Sequence, residues 1–434
     1  MSHHQKTSWA LGIDFGTSNS LAAPVDGEKT LPPIPLDPSA SDPTILKSIM
    51  YTPQRNKWYF GQNAIGEYMQ HLGEGRLLRS VKKYLPDRFF DNTVIHHRSY
   101  NLTELIGIFL AEIRQRAEKH LGQEIRKVVL GRPAVFAQDK DADELGEKRL
   151  LSAAHLAGFE SVAFCPEPVA AAYEFRHQLT QTQRVLIADF GGGTSDYTLL
   201  NLGPRLFKTQ DVLATHGTPA AGDRLDGALM KTLIAPHFGS DVVYKLPLGS
   251  VPLRLPKHLL QKMCNPADIG FLSQKDILQL LKDAQRWSLD PGSQKAMDRL
   301  FAVIGEHLGY QLFRAIETTK ISLSSADEAP FIWTHANPDL DLSLQCSSSA
   351  YQAGAQDVIE TIIGALDETL TQAQVKAADV DIVCCTGGTA RHPAIKKALE
   401  TRFGADKLRQ HKSFHAVAMG LGEHALKLLE AGQL

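Results

Sequence analysis

The chain has 434 residues, of which 43% are hydrophobic and 22% charged, and its formal net charge is -2. Its length predicts two or more lobes, its composition is typical of a globular protein that dissolves in water, and its balanced charge gives no reason to expect a nucleic-acid or membrane partner. No run of about 18 apolar residues predicts a membrane span, and five cysteines without a C-x-x-C spacing predict neither disulfides nor zinc, but a cytoplasmic protein.

The first elements of the chain form a strand–turn–strand pattern. Residues 9–25, WALGIDFGTSNSLAAPV, place one apolar run before Asp14 and a second one after a turn that contains Gly16. Apolar runs separated by glycine and small polar residues predict a pair of strands joined by a tight turn.

Helices and strands then alternate along the chain. Residues 101–121 have apolar side chains at helical spacing behind a capping-type start. Residues 125–136 predict a strand and a proline turn, residues 147–158 a helix that ends at a glycine, and residues 161–179 a strand followed by a helix that starts near Pro168. This alternation predicts an α/β architecture with mixed sheets.

A second hairpin repeats the pattern of the first. Residues 185–200, VLIADFGGGTSDYTLL, contain an apolar run, the tripeptide Asp-Phe-Gly, small polar residues and another apolar run. Asp189 is equivalent to Asp14 and lies 175 positions after it. That spacing is too long for a solenoid repeat. It predicts two lobes of similar design, each beginning with the same hairpin.

The remainder of the chain divides into a helical block and a return to α/β structure. Residues 219–341 predict mainly helices, and the proline-rich residues 244–258 predict an extended connector. Residues 380–388 predict a strand that enters a glycine turn, residues 392–403 a helix, and residues 414–434 a final helix with small residues on one face. The helical block therefore looks like a subdomain inserted into the second lobe.

The two hairpin turns have the composition of a phosphate-binding site. Glycine lets successive backbone N–H groups point at an anion, and the turns carry hydroxyl and amide side chains beside their glycines. Asp14 and Asp189 cannot bind phosphate themselves, but both can hold a hydrated Mg²⁺ ion, which keeps most of its waters. Each turn alone is also compatible with an ordinary hairpin. The chain has no Walker loop, and it lacks the H-R-D and β3-lysine signatures that accompany Asp-Phe-Gly in protein kinases.

Taken together and in order, the motifs of the chain resemble the nucleotide-binding domain of the seventy-kilodalton heat-shock chaperones, within the actin-like ATPase superfamily. The segments that carry the resemblance are GIDFGTSNS, RSVKKYLPDRF, GRPAVF, CPEPVAAAYEF, ADFGGGTSD, AAGDRLDGAL, AIETTKISLSS and TGGTARHP. The resemblance covers nearly the whole chain. It implies an α/β, actin-like ATPase fold with two lobes, each built on a ribonuclease-H-like mixed sheet, plus smaller outer subdomains.

The resemblance also implies domain boundaries. The first lobe would span 7–181, with its core at 7–40 and 122–181 and an outer subdomain at 41–121. The second lobe would span 182–411, with its core at 182–218 and 350–411 and an enlarged, mainly helical outer subdomain at 219–349. A C-terminal helix at 412–434 would return to the first lobe, and no peptide-binding domain is expected.

Matched position by position, the family motifs imply a set of site residues that bind ATP or ADP with Mg²⁺. The residues implied in hydrolysis are Asp14, Lys82, Glu167, Asp189 and Thr194, and Asp14 and Asp189 would hold the metal through water. The residues implied at the phosphates are Gly16, Thr17, Ser18, Asn19, Gly191, Gly192, Gly193 and Thr194. The residues implied at ribose and adenine are Gly222, Asp223, Glu317, Lys320, Ser324, Gly387, Gly388 and Arg391.

Two further positions follow from the same resemblance. Pro133 matches the proline turn that relays the nucleotide state in the family. The family places a relay arginine after that turn, and Arg149 is the nearest candidate in this sequence, although its spacing differs.

The sequence also departs from the family. Glu317 lies 95 positions after Gly222, which is more than the family uses there, and we expect the extra residues on the outer part of the second lobe. We expect neither the linker nor the peptide-binding β-sandwich and lid of the family, and the pattern most resembles that of the short relatives called YegD.

These observations predict an ATPase that works as a conformational switch. The expected protein is a monomer that binds ATP, hydrolyses it slowly with Mg²⁺, and couples lobe closure to a protein partner or client whose identity stays open. Three alternatives use the same site: an actin-like filament protein, a small-molecule kinase of the superfamily, and a nucleotide-bound scaffold without turnover. Pelleting with ATP, product analysis with candidate acceptors and an ATPase assay would separate them.

Overall fold

A computed structural model of the chain describes residues 9–71, 74–90, 92–133, 135–137, 139–176, 179–203, 209–247, 249–410 and 415–434. The strands within these ranges are β1 (Ala10–Phe15), β2 (Asn19–Val25), β3 (Leu46–Lys47), β4 (Ile49–Thr52), β5 (Tyr59–Phe60), β6 (Arg76–Arg79), β7 (Asn92–Ile95), β8 (Arg98–Asn101), β9 (Lys127–Arg132), β10 (Ser161–Pro166), β11 (Gln183–Phe190), β12 (Ser195–Leu202), β13 (Val212–Thr218), β14 (Val243–Tyr244), β15 (Leu253–Arg254), β16 (Glu328–Trp333), β17 (Leu342–Ser347), β18 (Ile382–Thr386) and β19 (Leu408–Gln410). The α-helices are α1 (Gly61–Gln70), α2 (Leu102–Leu121), α3 (Lys140–Leu156), α4 (Glu167–Arg176), α5 (Gly222–Leu229), α6 (Lys257–Met263), α7 (Lys275–Arg286), α8 (Ser293–Gly305), α9 (Gly309–Leu323), α10 (Ser348–Gly354), α11 (Gln356–Gln372), α12 (Pro393–Phe403) and α13 (His415–Glu430).

Two five-stranded sheets of the same design organise the molecule. The first has the strand order β10-β9-β1-β2-β3 and the second the order β13-β12-β11-β18-β19. In each sheet a central strand pairs antiparallel with the other half of its hairpin and parallel with the strand on its other side. The predicted repeat of a hairpin at the start of each lobe is therefore confirmed, and the two turns occupy equivalent places.

Helices α4 and α13 fill the space between the two sheets. Their apolar side chains join one buried cluster with residues of β1, β9, β11 and β18. The approach is close because α13 has small residues on that face: a Cβ added to Gly12 would lie 2.3 Å from the backbone nitrogen of Gly422, and one added to Gly420 would lie 1.8 Å from the carbonyl oxygen of Ala170. The small-residue face predicted for the last helix is thus the face that packs.

Other predicted elements are also found where the patterns placed them. Helix α2 begins after Asn101, whose side chain accepts the backbone N–H of Glu104 in a capping box. Helix α4 begins at Glu167, one residue before the predicted start, and the final helix begins at His415; the residue before it lies outside the described ranges. Within those ranges no helix has both the length and the apolar composition needed to cross a membrane.

The outer part of the second lobe differs from the sequence prediction in two places. The proline-rich segment expected to be a connector contains a short hairpin, β14–β15. Strands β16 and β17 form a second hairpin in the block expected to be mainly helical. The alternation of exposed and buried residues along β16 is the period-two pattern of a strand, and it was overlooked beside the longer helical runs. The predicted α/β fold with mixed sheets is confirmed, whereas the exact subdomain boundaries stay a prediction.

Candidate functional site

Each hairpin turn is closed by its own backbone. In the first turn the N–H of Gly16 donates to the carbonyl oxygen of Asn19 at 3.0 Å, and in the second the N–H of Gly191 donates to the carbonyl oxygen of Thr194 at 2.9 Å. The first turn is the tighter one, because a Cβ added to Gly16 would lie 2.3 Å from the Asn19 oxygen, against 3.2 Å from Gly191 to the Thr194 oxygen.

The two turns lie against each other across the lobes. A Cβ added to Gly192 would lie 2.3 Å from the Ser18 hydroxyl oxygen, and one added to Gly193 would lie 3.3 Å from a methyl carbon of Thr17. The glycines of the second turn therefore leave just enough room for the hydroxyl side chains of the first. The structure brings together the two sets of residues that the sequence placed at the phosphates.

Lys82 is buried beside this junction. It lies in a one-turn 3₁₀ helix, Val81–Tyr84, that follows Ser80 in a left-handed conformation. Its Nζ is 2.6 Å from Oε1 of Glu167, and its side chain is only 8% exposed. Burial lowers the pKa of Lys82, but Glu167 and Asp14 outweigh that effect and hold it above its usual range, so the ammonium stays charged. A surface lysine in the same sequence context would have neither the burial nor the partner.

Aspartates from both hairpins share this environment. Burial and the charge of Glu167 raise the pKa of Asp14 well above its usual range. The same two causes raise the pKa of Asp189 to about 6, although Thr386 donates a hydrogen bond of 2.5 Å to one of its oxygens. The charge of Asp189 also raises the pKa of Asp14, because the two lobes bring these carboxylates close.

Asp196 is a fourth buried carboxylate, which the sequence analysis did not assign to the site. It pairs with Asp189 across β11 and β12, and burial raises its pKa to about 8 even though Thr194 donates a hydrogen bond to it. Its Oδ1 atom is buried and has no hydrogen-bond partner among the described residues. The available signal was its place directly opposite Asp189 in the hairpin, which the register of a tight turn fixes.

A divalent cation fits this set of groups. Asp14, Glu167, Asp189 and Asp196 are all carboxylates in a buried region whose nearest ammonium is that of Lys82. Uncompensated buried charge is costly, so the carboxylates take up protons or a cation. Among the described residues no three acidic, cysteine or histidine side chains are close enough together to hold a metal directly. A hydrated ion that reaches the carboxylates through its waters satisfies both observations.

The predicted ribose segment lies on the second turn. The N–H of Gly222 donates to the carbonyl oxygen of Gly191 at 3.3 Å, and the N–H of Asp223 donates to that of Gly192 at 2.7 Å. Burial raises the pKa of Asp223. The N-terminus of α5 is therefore attached directly to the glycines that face the first lobe.

Lys320 connects the predicted adenine helix, α9, to the same place. Its Nζ is 2.7 Å from Oδ1 of Asp226 and 3.4 Å from the carbonyl oxygen of Gly222. Glu317, one turn earlier, lies in the cleft between the lobes, where it lines a small cavity together with Thr17. Both residues thus lie near the turns, on one face of α9.

Ser324 and Arg391 lie further along, in a separate cavity. They line a space of about 400 Å³ between α9 and the start of α12. Gly387 must be glycine, because its φ is +81° and an added Cβ would lie 2.0 Å from the carbonyl oxygen of Phe190. Gly388 faces open space. The structure therefore divides the predicted adenine residues between two places, with Glu317 and Lys320 near the turns and Ser324 and Arg391 at a separate cavity beside α12.

The proline turn and the relay candidate do not meet. Arg132, next to Pro133, donates to the carbonyl oxygen of that proline at 3.2 Å and to both carboxylate oxygens of Asp143 at 3.0 Å. It also contacts Glu147. Arg149 instead reaches the chain that follows Lys82. The relay role of Arg149 stays a prediction, and the arginine that contacts the proline turn is Arg132.

The outer parts of the two lobes also touch. The hydroxyl of Tyr68 in α1 donates to the carbonyl oxygen of His307 at 2.7 Å. Tyr310 of α9 packs against the apolar cluster that contains Tyr51 and Tyr68. The cleft is therefore bounded by contacts between the lobes at its outer side as well as at the turns.

Comparisons with known proteins agree with the motifs. The family model described as Hsp70 protein matches residues 81–243 and 306–426, which is well over half of the chain. The match includes Lys82, Glu167 and the second hairpin. The unmatched residues between its two parts, 244–305, belong to the outer part of the second lobe, where the sequence predicted extra length.

The similarity to curated relatives covers more of the chain than the family model does. The chain is 25% identical over 420 residues to the Chaperone protein DnaK of Thermosipho africanus (strain TCF52B), and 24% identical over 420 residues to the protein of the same name from Thermosipho melanesiensis. Each alignment covers 96% of this chain, and the chain spans 58% of the length of each relative.

Proposed function

This chain belongs to the Hsp70 protein family, and from that premise we propose that it binds ATP with Mg²⁺ between its lobes, hydrolyses it slowly, and passes the nucleotide state to a protein partner. The observation that carries the proposal is the meeting of the two glycine turns beside the Lys82–Glu167 ion pair. Turn amides and a buried ammonium provide what phosphoryl transfer requires, which is positioning and compensation of charge.

In this proposal the first lobe supplies the cation that acts on the phosphates. The ammonium of Lys82 stabilises the negative charge that develops on the phosphoryl oxygens during transfer. The N–H groups that the turns leave free and the hydroxyl of Thr17 donate hydrogen bonds to the same oxygens, and the Thr194 hydroxyl joins them when it turns away from Asp196. Glu167 keeps Lys82 charged and, with Asp189, accepts hydrogen bonds from the attacking water and so orients it.

Asp14 and Asp189 are the proposed holders of Mg²⁺, through its waters, and Asp196 adds a third carboxylate near them. When bound, the ion neutralises phosphate charge and compensates the buried carboxylates. Without such compensation the same carboxylates keep their protons to a higher pH than usual, because burial raises the pKa of Asp189 to about 6 and that of Asp196 to about 8. The affinity for the metal should therefore increase with pH.

Binding of a nucleotide would change the contact between the lobes. Gly192 and Ser18 already touch, so phosphates can enter only if the turns separate. The contact of Tyr68 with His307 gives the outer subdomains a second joint that opens and closes with the cleft. A ligand that binds one separation of the lobes better than another shifts the equilibrium between them.

The partner is proposed to be a protein. The relatives are named chaperone proteins, and this chain spans 58% of their length, so client binding by this chain is an extension from the family. A cytoplasmic location, a monomeric state and the closer likeness to the short YegD proteins stay predictions from the sequence.

The test is release of phosphate from ATP by the purified chain, with and without Mg²⁺, together with the affinity for ATP. We expect slow turnover that requires the metal and that Asp189→Ala abolishes. Neither ATP affinity nor turnover, with no effect of Asp189→Ala on either, would contradict the proposal. Tight binding without turnover would instead favour a nucleotide-bound scaffold.

A further inference from the structure

The guanidinium group of Arg149 donates hydrogen bonds to four backbone carbonyl oxygens. Its Nη1 lies 3.3 Å from the carbonyl oxygen of Tyr84, 3.0 Å from that of Leu85 and 2.7 Å from that of Asp87. Its Nη2 lies 3.1 Å from the carbonyl oxygen of Phe90. One side chain of α3 thus holds a stretch of chain that lies more than 50 positions earlier in the sequence.

These carbonyls lie at the end of the short helix that carries Lys82 and along the chain that follows it: Tyr84 is the last residue of the helix, and Leu85, Asp87 and Phe90 come after it. The N–H of Leu85 donates to the carbonyl oxygen of Lys82 at 3.1 Å, and the N–H of Asp87 donates to that of Tyr84 at 3.0 Å. The last carbonyls of a helix have no partner within it, and a cation there is favourable. A single 3₁₀ turn has few bonds of its own, so an outside anchor contributes much of its rigidity.

We propose that Arg149 is a positioning residue that fixes the Lys82 segment and so sets where the Lys82 ammonium lies. The inference rests on the proposed function, because it gives Lys82 a role in hydrolysis. Arginine suits the task better than lysine, since its planar fork presents several N–H donors in a fixed geometry. Arg149 itself does not touch the residues at the turns that we propose to bind phosphate.

The requirement for such an anchor follows from the position of Lys82. Its ammonium must remain 2.6 Å from Glu167 and at the same time face the junction of the two turns. A shift of about 1 Å in a group that stabilises a transition state can cost about a hundred-fold in rate. The segment has one end at Ser80, in a left-handed conformation, and the other end at the carbonyls that Arg149 binds.

The experiment compares Arg149→Met and Arg149→Lys with a matched control, Arg88→Met. Arg88 belongs to the same segment, but it is half exposed and pairs with Asp139 and Asp141 rather than with carbonyls. We measure the single-turnover rate of ATP hydrolysis, the Kd for ATP, and hydrogen exchange at the amides of residues 85 and 87.

We expect Arg149→Met to reduce the hydrolysis rate about ten- to hundred-fold and to leave the Kd for ATP within about three-fold, since the glycine turns are untouched. Arg149→Lys should lie between the two, because it keeps the charge but loses the fork. Exchange at the two amides should accelerate in Arg149→Met and not in Arg88→Met.

The outcomes separate the inference from the proposed function. If the unsubstituted chain hydrolyses ATP, and folded Arg149→Met and Arg149→Lys hydrolyse it at the same rate, the positioning role is wrong while the function stands. If the unsubstituted chain does not hydrolyse ATP, the function is wrong, and unchanged exchange in Arg149→Met would show separately that Arg149 does not hold the segment. A lower Tm with an unchanged rate in the folded fraction would also contradict the inference, since it indicates a purely structural residue.

Discussion

The two hairpins, β1–β2 and β11–β12, have equivalent positions in sheets of the same strand order, but their surroundings differ. Near the first hairpin the lobe provides a buried ion pair, Lys82 with Glu167. Near the second it provides a further carboxylate, Asp196, and the Thr386 hydroxyl, which donates a hydrogen bond to Asp189. The repeated scaffold sets where the turns meet, whereas the side chains differ: Lys82, outside the first hairpin, gives one side a cation, and Asp196, within β12, gives the other side one more carboxylate. Neither lobe alone contains all the residues of the proposed site.

We expect the largest effect on activity from removal of the buried cation that lies beside the first hairpin. Lys82→Met should reduce ATP hydrolysis by about 10²–10³-fold, because the phosphoryl charge loses a preorganised donor. Binding of ATP should fall much less, since the turn amides stay in place. Lys83→Met is the matched control: Lys83 is the next residue, and its Nζ is 3.6 Å from Asp268. Equal loss of single-turnover rate in both variants would show that Lys82 has no special role.

The turns themselves should respond unequally to a methyl group. Gly16→Ala brings a Cβ to 2.3 Å from the carbonyl oxygen of Asn19, whereas Gly191→Ala brings one to 3.2 Å from that of Thr194. The backbone oxygen in the first case cannot rotate away, so we expect Gly16→Ala to lower the free energy of unfolding by about 1–3 kcal/mol and Gly191→Ala to lower it by less. Urea unfolding of both variants measures the difference, and Gly388→Ala, which faces open space, is the control. A larger loss of unfolding free energy in Gly191→Ala than in Gly16→Ala would contradict the prediction that the first turn is the tighter one.

Asp196, which belongs to the second hairpin, should make the stability of the chain depend on pH. The pKa of this carboxyl is about 8 in the folded chain against 3.8 when unfolded, so between these values the folded state keeps a proton that the unfolded state has lost. The free energy of unfolding must then fall as the pH rises through this window. In buffer with a chelator we expect the Tm at pH 8 to lie at least about 4 °C below that at pH 5.

Two controls assign that pH dependence. Asp196→Asn, which imitates the protonated form, should make the Tm nearly independent of pH between pH 6 and pH 8. In the unsubstituted chain, Mg²⁺ should reduce the fall in Tm by compensating the ionised carboxylates. If the Tm of Asp196→Asn falls with pH as steeply as that of the unsubstituted chain, Asp196 is not the group that titrates.

The smallest effect concerns the joint between the outer subdomains. Tyr68→Phe removes the hydrogen bond to the carbonyl oxygen of His307, which we expect to be worth about 1 kcal/mol, or about five-fold in the rate of nucleotide release. Displacement of a fluorescent nucleotide measures the rate. Tyr59→Phe is the control, because Tyr59 packs in the same cluster and its ring contacts Lys57. Equal release rates for Tyr68→Phe and the unsubstituted chain would show that this hydrogen bond does not contribute to lobe closure.

The sequence predicted the scaffold better than it predicted the chemistry. Both hairpins were readable from apolar runs around glycine because pairing across a tight turn is a local property. Lys82 could be selected only through the family motif, since its burial depends on Glu167, which lies 85 positions away in the chain. Asp196 was overlooked although the register places it opposite Asp189.

Long-range contacts explain the remaining differences. The carbonyls that Arg149 binds have no sequence signature, so this residue could be proposed as a relay but not placed on the Lys82 segment. The β14–β15 hairpin has two residues in each strand, too few for a periodic pattern. Such features depend on tertiary packing, which overrides local propensity.

The most direct test of the central claim, that one nucleotide is held by both turns, is calorimetric titration of ATP with Mg²⁺ into the chain and into Asp14→Asn and Asp189→Asn. The account predicts one ATP per chain, and at least ten-fold weaker binding, or about 1.4 kcal/mol, in each single variant. Binding by either variant with the affinity of the unsubstituted chain would contradict it, because that turn would then lie outside the site.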